Sequence, residues 1–146
     1  MNRMPTITDA DTTVTSTTVC QELLSLLKQF KAYMGQVAEK HGLTTMQLHA
    51  LHAIADGHTT MGKVAQTMHC DASNVTGIVD RLTALQLVIR QEDPRDRRVK
   101  SLQLTPQGNT ILQEVIAELP ERLGCSRLNQ QELNSLHSSV LKLITE

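Results

Sequence analysis

The order of elements between Thr60 and Leu104 constrains this chain more than any other feature. Thr60 opens a short helical pattern that turns Met61, Val64, Ala65 and Met68 inward. After a turn at His69-Cys70, Asp71 stands as the cap of a second short helix reaching about Leu85. Its inner face is Val75, Ile78, Val79, Leu82 and Leu85. Two β-prone runs follow, residues 87–92 and 99–104, with Leu102 and Leu104 alternating on one face. Between them lies the polar turn Asp93-Pro94-Arg95-Asp96-Arg97-Arg98. Two short helices joined by a tight turn, then a hairpin with a charged tip, predict a helix–turn–helix followed by a β wing.

The outer face of the second short helix carries Ser73, Asn74, Thr76, Gly77, Asp80 and Arg81. Hydroxyls and an amide can exchange hydrogen bonds with base edges or phosphates, and a glycine allows close approach. Arg81, one turn on, can reach a phosphate. The same pattern would also serve a plain solvated face, so the hairpin matters. Its tip holds Arg95, Asp96, Arg97, Arg98 and Lys100, a local basic surface in a chain of net charge −1. A guanidinium at the end of a β ribbon suits the narrow, electronegative minor groove beside a helix lying in the major groove. Glu92 and Asp93 stand just before the tip.

The flanking segments read as helices. Val19, Leu23, Leu26, Phe30, Met34, Val37 and His41 step by threes and fours up to a stop at Gly42. Thr44 and Gln47 form a capping box, stapled by Leu43 and Leu48, for a helix that continues through Leu51 and Ile54 and stops near Gly57. Thr105-Pro106 starts a fifth helix with the stripe Ile111, Leu112, Val115, Ile116 and Leu119, which Pro120 is expected to end. Asn129 and Glu132 box a sixth, stapled by Leu128 and Leu133 and carrying Leu136, Val140, Leu143 and Ile144. With no Trp, one Phe and one Tyr, the core has to be aliphatic. The expected fold is therefore mainly α with a small β-hairpin wing. Residues 1–17 read as a flexible arm, 44–104 as the winged helix–turn–helix core, and 18–42 with 105–146 as dimerisation helices. The end helices carry wider apolar stripes than one small winged domain can cover, which points to a homodimer through Val19, Leu23, Leu26, Leu119, Leu133, Leu136, Val140 and Leu143.

The stretch Asp93-Pro-Arg-Asp-Arg-Arg-Val-Lys-Ser-Leu-Gln-Leu-Thr-Pro-Gln-Gly108 resembles the signature of the MarR family of bacterial regulators. Asp96 and Arg98 match its acid–x–Arg wing motif, and Leu104-Thr105 with Gly108 match the remainder. Upstream, Val79-Asp-Arg-Leu82 is similar to part of the family's recognition helix. The resemblance implies an obligate homodimer on a pseudo-palindromic double-stranded DNA operator. Ser73, Asn74, Thr76 and Gly77 would then lie at the major groove, and Arg98, positioned by Asp96, in the minor groove. Many members carry Arg where this chain has Gly77, which shifts base reading toward the wing and DNA shape. The resemblance also implies release by a small phenolic or aromatic effector between the dimer helices and the winged domain.

Other readings compete. Cys20 resembles the reactive cysteine of the organic-hydroperoxide-sensing branch, and Cys125 lies where some of that branch carry a second one, which makes both candidate redox residues. The tyrosines that assist the thiolate in that branch are replaced by Met34 and Thr45. His49 and His52, with His41 and His58 nearby, lack a clear carboxylate or cysteine partner, so no metal site and no cofactor are expected. No phosphate loop, nucleophile elbow or paired carboxylates point to an enzyme. A winged-helix module that binds protein instead of DNA would leave the arginine tip without a purpose. No apolar run reaches the ~20 residues of a membrane span and no signal peptide is visible, so a cytoplasmic protein without a membrane partner is expected.

Overall fold

The structure, a computed structural model, describes residues 13–55, 59–92, 96 and 100–145. Six helices and a small antiparallel sheet follow one another as α1 (Ser16–Lys40), α2 (Thr45–Ile54), β1 (Thr59–Thr60), α3 (Met61–Met68), α4 (Ala72–Ala84), β2 (Val88–Glu92), β3 (Lys100–Leu104), α5 (Pro106–Arg122) and α6 (Gln130–Ile144). A single 3-10 turn, Cys125–Arg127, joins the last two helices. The mainly α architecture with a β-hairpin wing is the one the sequence predicts.

Helix starts follow local chemistry. Thr44 Oγ1 accepts from Gln47 N at 3.1 Å while Gln47 Oε1 accepts from Thr44 N at 2.9 Å, so the first box closes both ways. Asn129 and Glu132 do the same for α6. Helix α1 begins at Ser16, two residues inside the segment expected to be an arm, because Thr15 caps it through Thr18 N. Pro120 does not end α5, which runs on to Arg122. A proline this close to a helix end forfeits one backbone bond and leaves little helix beyond it to misdirect.

The sheet order is β1-β3-β2. Strands β2 and β3 pair from Val88 with Leu104 to Glu92 with Lys100, and β1 adds Thr59 and Thr60 beside Leu102 and Ser101. Thr60 thus ends a strand and caps α3, its Oγ1 accepting from Lys63 N. This third strand is absent from the sequence reading, since two residues carry no alternation to detect.

The core is aliphatic, as the composition requires. Leu48, Leu51, Ile54, Val64, Val75, Val79, Leu82, Val88 and Leu102 are fully buried where α2, α3 and α4 meet the sheet. Helix α1 joins this core at its C-terminal half through Tyr33, Val37 and Ala38, and α5 through Ile111, Leu112 and Val115. Ile116, counted in the inward stripe of α5, is instead exposed, because the buried arc of that helix is only wide enough for its neighbours. No residue of α6 is buried. No helix among the described residues is long and apolar enough to cross a membrane.

Candidate nucleic-acid interface

Helix α4 is anchored by Val75, Val79 and Leu82, all fully buried, so its opposite face is held toward solvent. Ser73, Asn74, Thr76, Gly77 and Arg81 are all exposed on it. Gly77 meets no packing demand: a β-carbon built there finds nothing within 4 Å. Its glycine therefore answers to no neighbour in this chain and costs the helix about 1 kcal/mol relative to alanine.

The start of α4 is organised by Asp71. One carboxylate oxygen accepts from Asn74 N at 2.9 Å and from the Ser73 hydroxyl at 2.7 Å. The other accepts from Asn74 Nδ2 at 3.2 Å. These donors, the Asn74 backbone amide foremost and the Ser73 hydroxyl next, hold the Asp71 carboxyl below the usual range. The Thr76 hydroxyl donates to Ala72 O at 2.8 Å. The turn before α4 is tight: His69 caps α3 with φ of 50°, and Cys70 donates its thiol to Met68 O.

Asp80, expected on the outer face of this helix, is exposed there and forms an ion pair with Arg90 of β2. This pair ties α4 to β2 of the wing. Nothing in the sequence marks it, because the two residues meet only once α4 has packed against the hairpin. At the other end of the wing, Thr105 Oγ1 donates to Gln86 O at 2.7 Å and accepts from Gly108 N at 3.1 Å, while Thr105 N donates to Leu87 O at 3.0 Å. The base of the wing is thereby bonded to the first turn of α5.

Of the tip residues, Asp96 and Lys100 are exposed. Arg95, Arg97 and Arg98 lie outside the described residues, so the expected Asp96–Arg98 arrangement does too. Among the dimerisation candidates, Val19, Leu23, Leu26, Leu136, Val140 and Leu143 are exposed, and Leu119 and Leu133 half-buried. Most large apolar side chains left in solvent belong to α1 and α6. All three cysteines are free thiols, Cys20 exposed on α1 and Cys125 half-buried in the turn after α5. The Tyr33 hydroxyl donates to Val115 O at 3.3 Å. His49 and His52 are exposed on α2, and His58 lies outside the described residues. Among the described residues no three His, Cys, Asp or Glu side chains come together to hold a metal.

Comparison with known proteins places this geometry. A sequence model described as the MarR family matches residues 41–99, the helix–turn–helix and the start of the wing. The HTH-type transcriptional regulator YsmB of Bacillus subtilis is 31% identical over 111 residues, which span 74% of this chain and 76% of YsmB. The HTH-type transcriptional repressor MdtR of the same organism is 33% identical over 96 residues, 65% of this chain and 62% of MdtR. Among solved structures, Bordetella bronchiseptica BpsR, described in terms of the regulation of its DNA binding by 6-hydroxynicotinic acid, is similar at 27% identity. That likeness covers 87% of this chain and 98% of BpsR with a TM-score of 0.60.

Proposed function

Because the chain belongs to the MarR family of DNA-binding transcriptional regulators, we propose that it acts as a homodimeric repressor on a pseudo-palindromic operator and leaves it when a small aromatic ligand binds. The observation that carries this reading is the coupling of an exposed polar helix face to a wing: Ser73, Asn74, Thr76 and Gly77 look outward from α4, and Asp80–Arg90 locks that helix to β2. The helix enters the major groove, with Arg81 toward a phosphate. The tip residues Arg95, Arg97 and Lys100 follow the phosphate backbone, and Arg98, positioned by Asp96, takes the minor groove. The uncovered apolar faces of α1 and α6 support the dimer, which would set two half-sites about one helical turn apart, roughly 34 Å. MdtR as a repressor and BpsR as a ligand-regulated DNA binder support the direction of control and the class of effector.

The test is a titration of purified protein against operator DNA selected from random sequence. Affinity should fall steeply as salt rises, since bound phosphates release counterions. Arg98→Ala should weaken operator binding more than about tenfold without unfolding the protein. A flat salt response, or an Arg98→Ala variant with unchanged affinity, contradicts the groove assignment. Hydroxylated aromatic acids added to the complex should release the DNA.

A further inference from the structure

We propose that Asp71 sets the base preference of the recognition helix by holding the Asn74 side-chain amide in the orientation that reads adenine. The inference rests on the assignment of α4 to the major groove. A carboxylate ion can only accept hydrogen bonds. Asp71 Oδ2 lies 3.2 Å from Asn74 Nδ2, while Asp71 Oδ1 takes Asn74 N at 2.9 Å and Ser73 Oγ at 2.7 Å. An Asn74 amide turned over would bring its oxygen against the carboxylate and lose this contact. The amide is thus fixed with nitrogen toward Asp71. The same donors lower the Asp71 carboxyl below its ordinary value, which favours the acceptor-only carboxylate.

What the clamp leaves free defines what the side chain can recognise. Asn74 has spent one N–H and retains one N–H and Oδ1. That donor–acceptor couple complements the N7 acceptor and N6 amine of adenine in the major groove. Guanine offers two acceptors there and would set its O6 against Oδ1. Ser73 and Thr76 have spent their hydroxyl protons on Asp71 and Ala72 O, so both face outward as acceptors. They add a preference for bases with exocyclic amines near the Asn74 position. Capping alone would not require an acid at position 71, because serine caps a helix about as well. The second carboxylate oxygen is what a serine lacks.

The test uses the full chain and its Asn74→Ala, Asp71→Ser and Asp71→Asn variants, each used to select bound sequences from random DNA. For the wild type, one position in each half-site should be adenine, and exchange to guanine there should cost about tenfold or more in affinity. Asn74→Ala should flatten that position alone. Asp71→Ser keeps the cap and its melting temperature, yet should cut the adenine discrimination at the same position by about fivefold or more. Asp71→Asn, which keeps the shape but turns one arm into a donor, should cut it too. Retention of the adenine preference in both Asp71 variants overturns the proposal, as does a wild-type position governed by Asn74 that is not adenine. Failure of the wild type to enrich any sequence would instead overturn the DNA-reading assignment beneath it.

Discussion

The carbonyl oxygen of Leu87 lies 2.3 Å from the point where a β-carbon on Gly108 would stand. The same oxygen accepts Thr105 N at 3.0 Å, so the strand cannot withdraw without breaking the link between wing and α5. Glycine is therefore demanded at 108 by a backbone, not by a side chain that could swing aside. Gly108→Ala should destabilise the fold by about 1–3 kcal/mol, in spite of alanine's better helix propensity. Gly77→Ala, in open space on α4, should stabilise it by about 0.5–1 kcal/mol. Urea midpoints moving in opposite directions are the expected result, and a stable Gly108→Ala protein would contradict the contact.

The Asp80–Arg90 pair is partly exposed, with side chains 55% and 35% accessible, so water screens it. Its loss should cost the fold no more than ~1 kcal/mol. Arg90→Ala should nonetheless lower operator affinity by about fivefold or more, because a wing free to tilt loses the geometry that orients its tip. Melting curves paired with gel-shift titrations separate the two effects. Equal small losses in both would assign the pair to stability alone.

Leu136 and Val140 stand 43% and 40% exposed on a helix with no fully buried residue in its own chain. A double Leu136→Glu, Val140→Glu variant places charge on that face and should sediment as a monomer. Operator affinity should then drop by about 100-fold or more, since each winged domain would bind its half-site without the tether of the other. A variant that remains dimeric would move the interface elsewhere.

Tyr33 is the only tyrosine, and the chain has no tryptophan, so ultraviolet absorbance follows one phenol. Burial raises its pKa above the ordinary value, Glu118 adds to this, and the Arg122 guanidinium, 5.0 Å from the ring centre, opposes it. The folded state therefore prefers the neutral phenol. Its contribution to stability is complete below about pH 10, the unfolded value, and is lost as pH rises through the higher folded value. Alkaline titration should show a midpoint above 10 that returns to the ordinary value in urea. Arg122→Gln should move the folded midpoint higher still.

Features decided within four residues were legible beforehand. Both capping boxes, the Thr105 cap and the two wing strands stand where spacing and residue type put them. The exposed arc of α4 was equally readable, because three buried valine and leucine positions fix where it points. Contacts across the fold were not. Strand β1 exists because β3, some forty residues on, offers it an edge. Gln86 takes φ of 59° with no glycine to announce the turn. Asp71 was readable as a cap, but its second oxygen on Asn74 depends on a rotamer that the one-dimensional pattern does not contain.

Thr105 holds the wing base through Gln86 and the helix start through Gly108 with a single hydroxyl. Helix α5 and the base of the hairpin are consequently joined at this threonine, and neither can shift there without breaking one of its bonds. In the homodimer proposed above, a shift of α5 would reach the base of the wing through this joint. A ligand seated beside the helices of that proposed dimer would then change the spacing of its two wings without touching DNA.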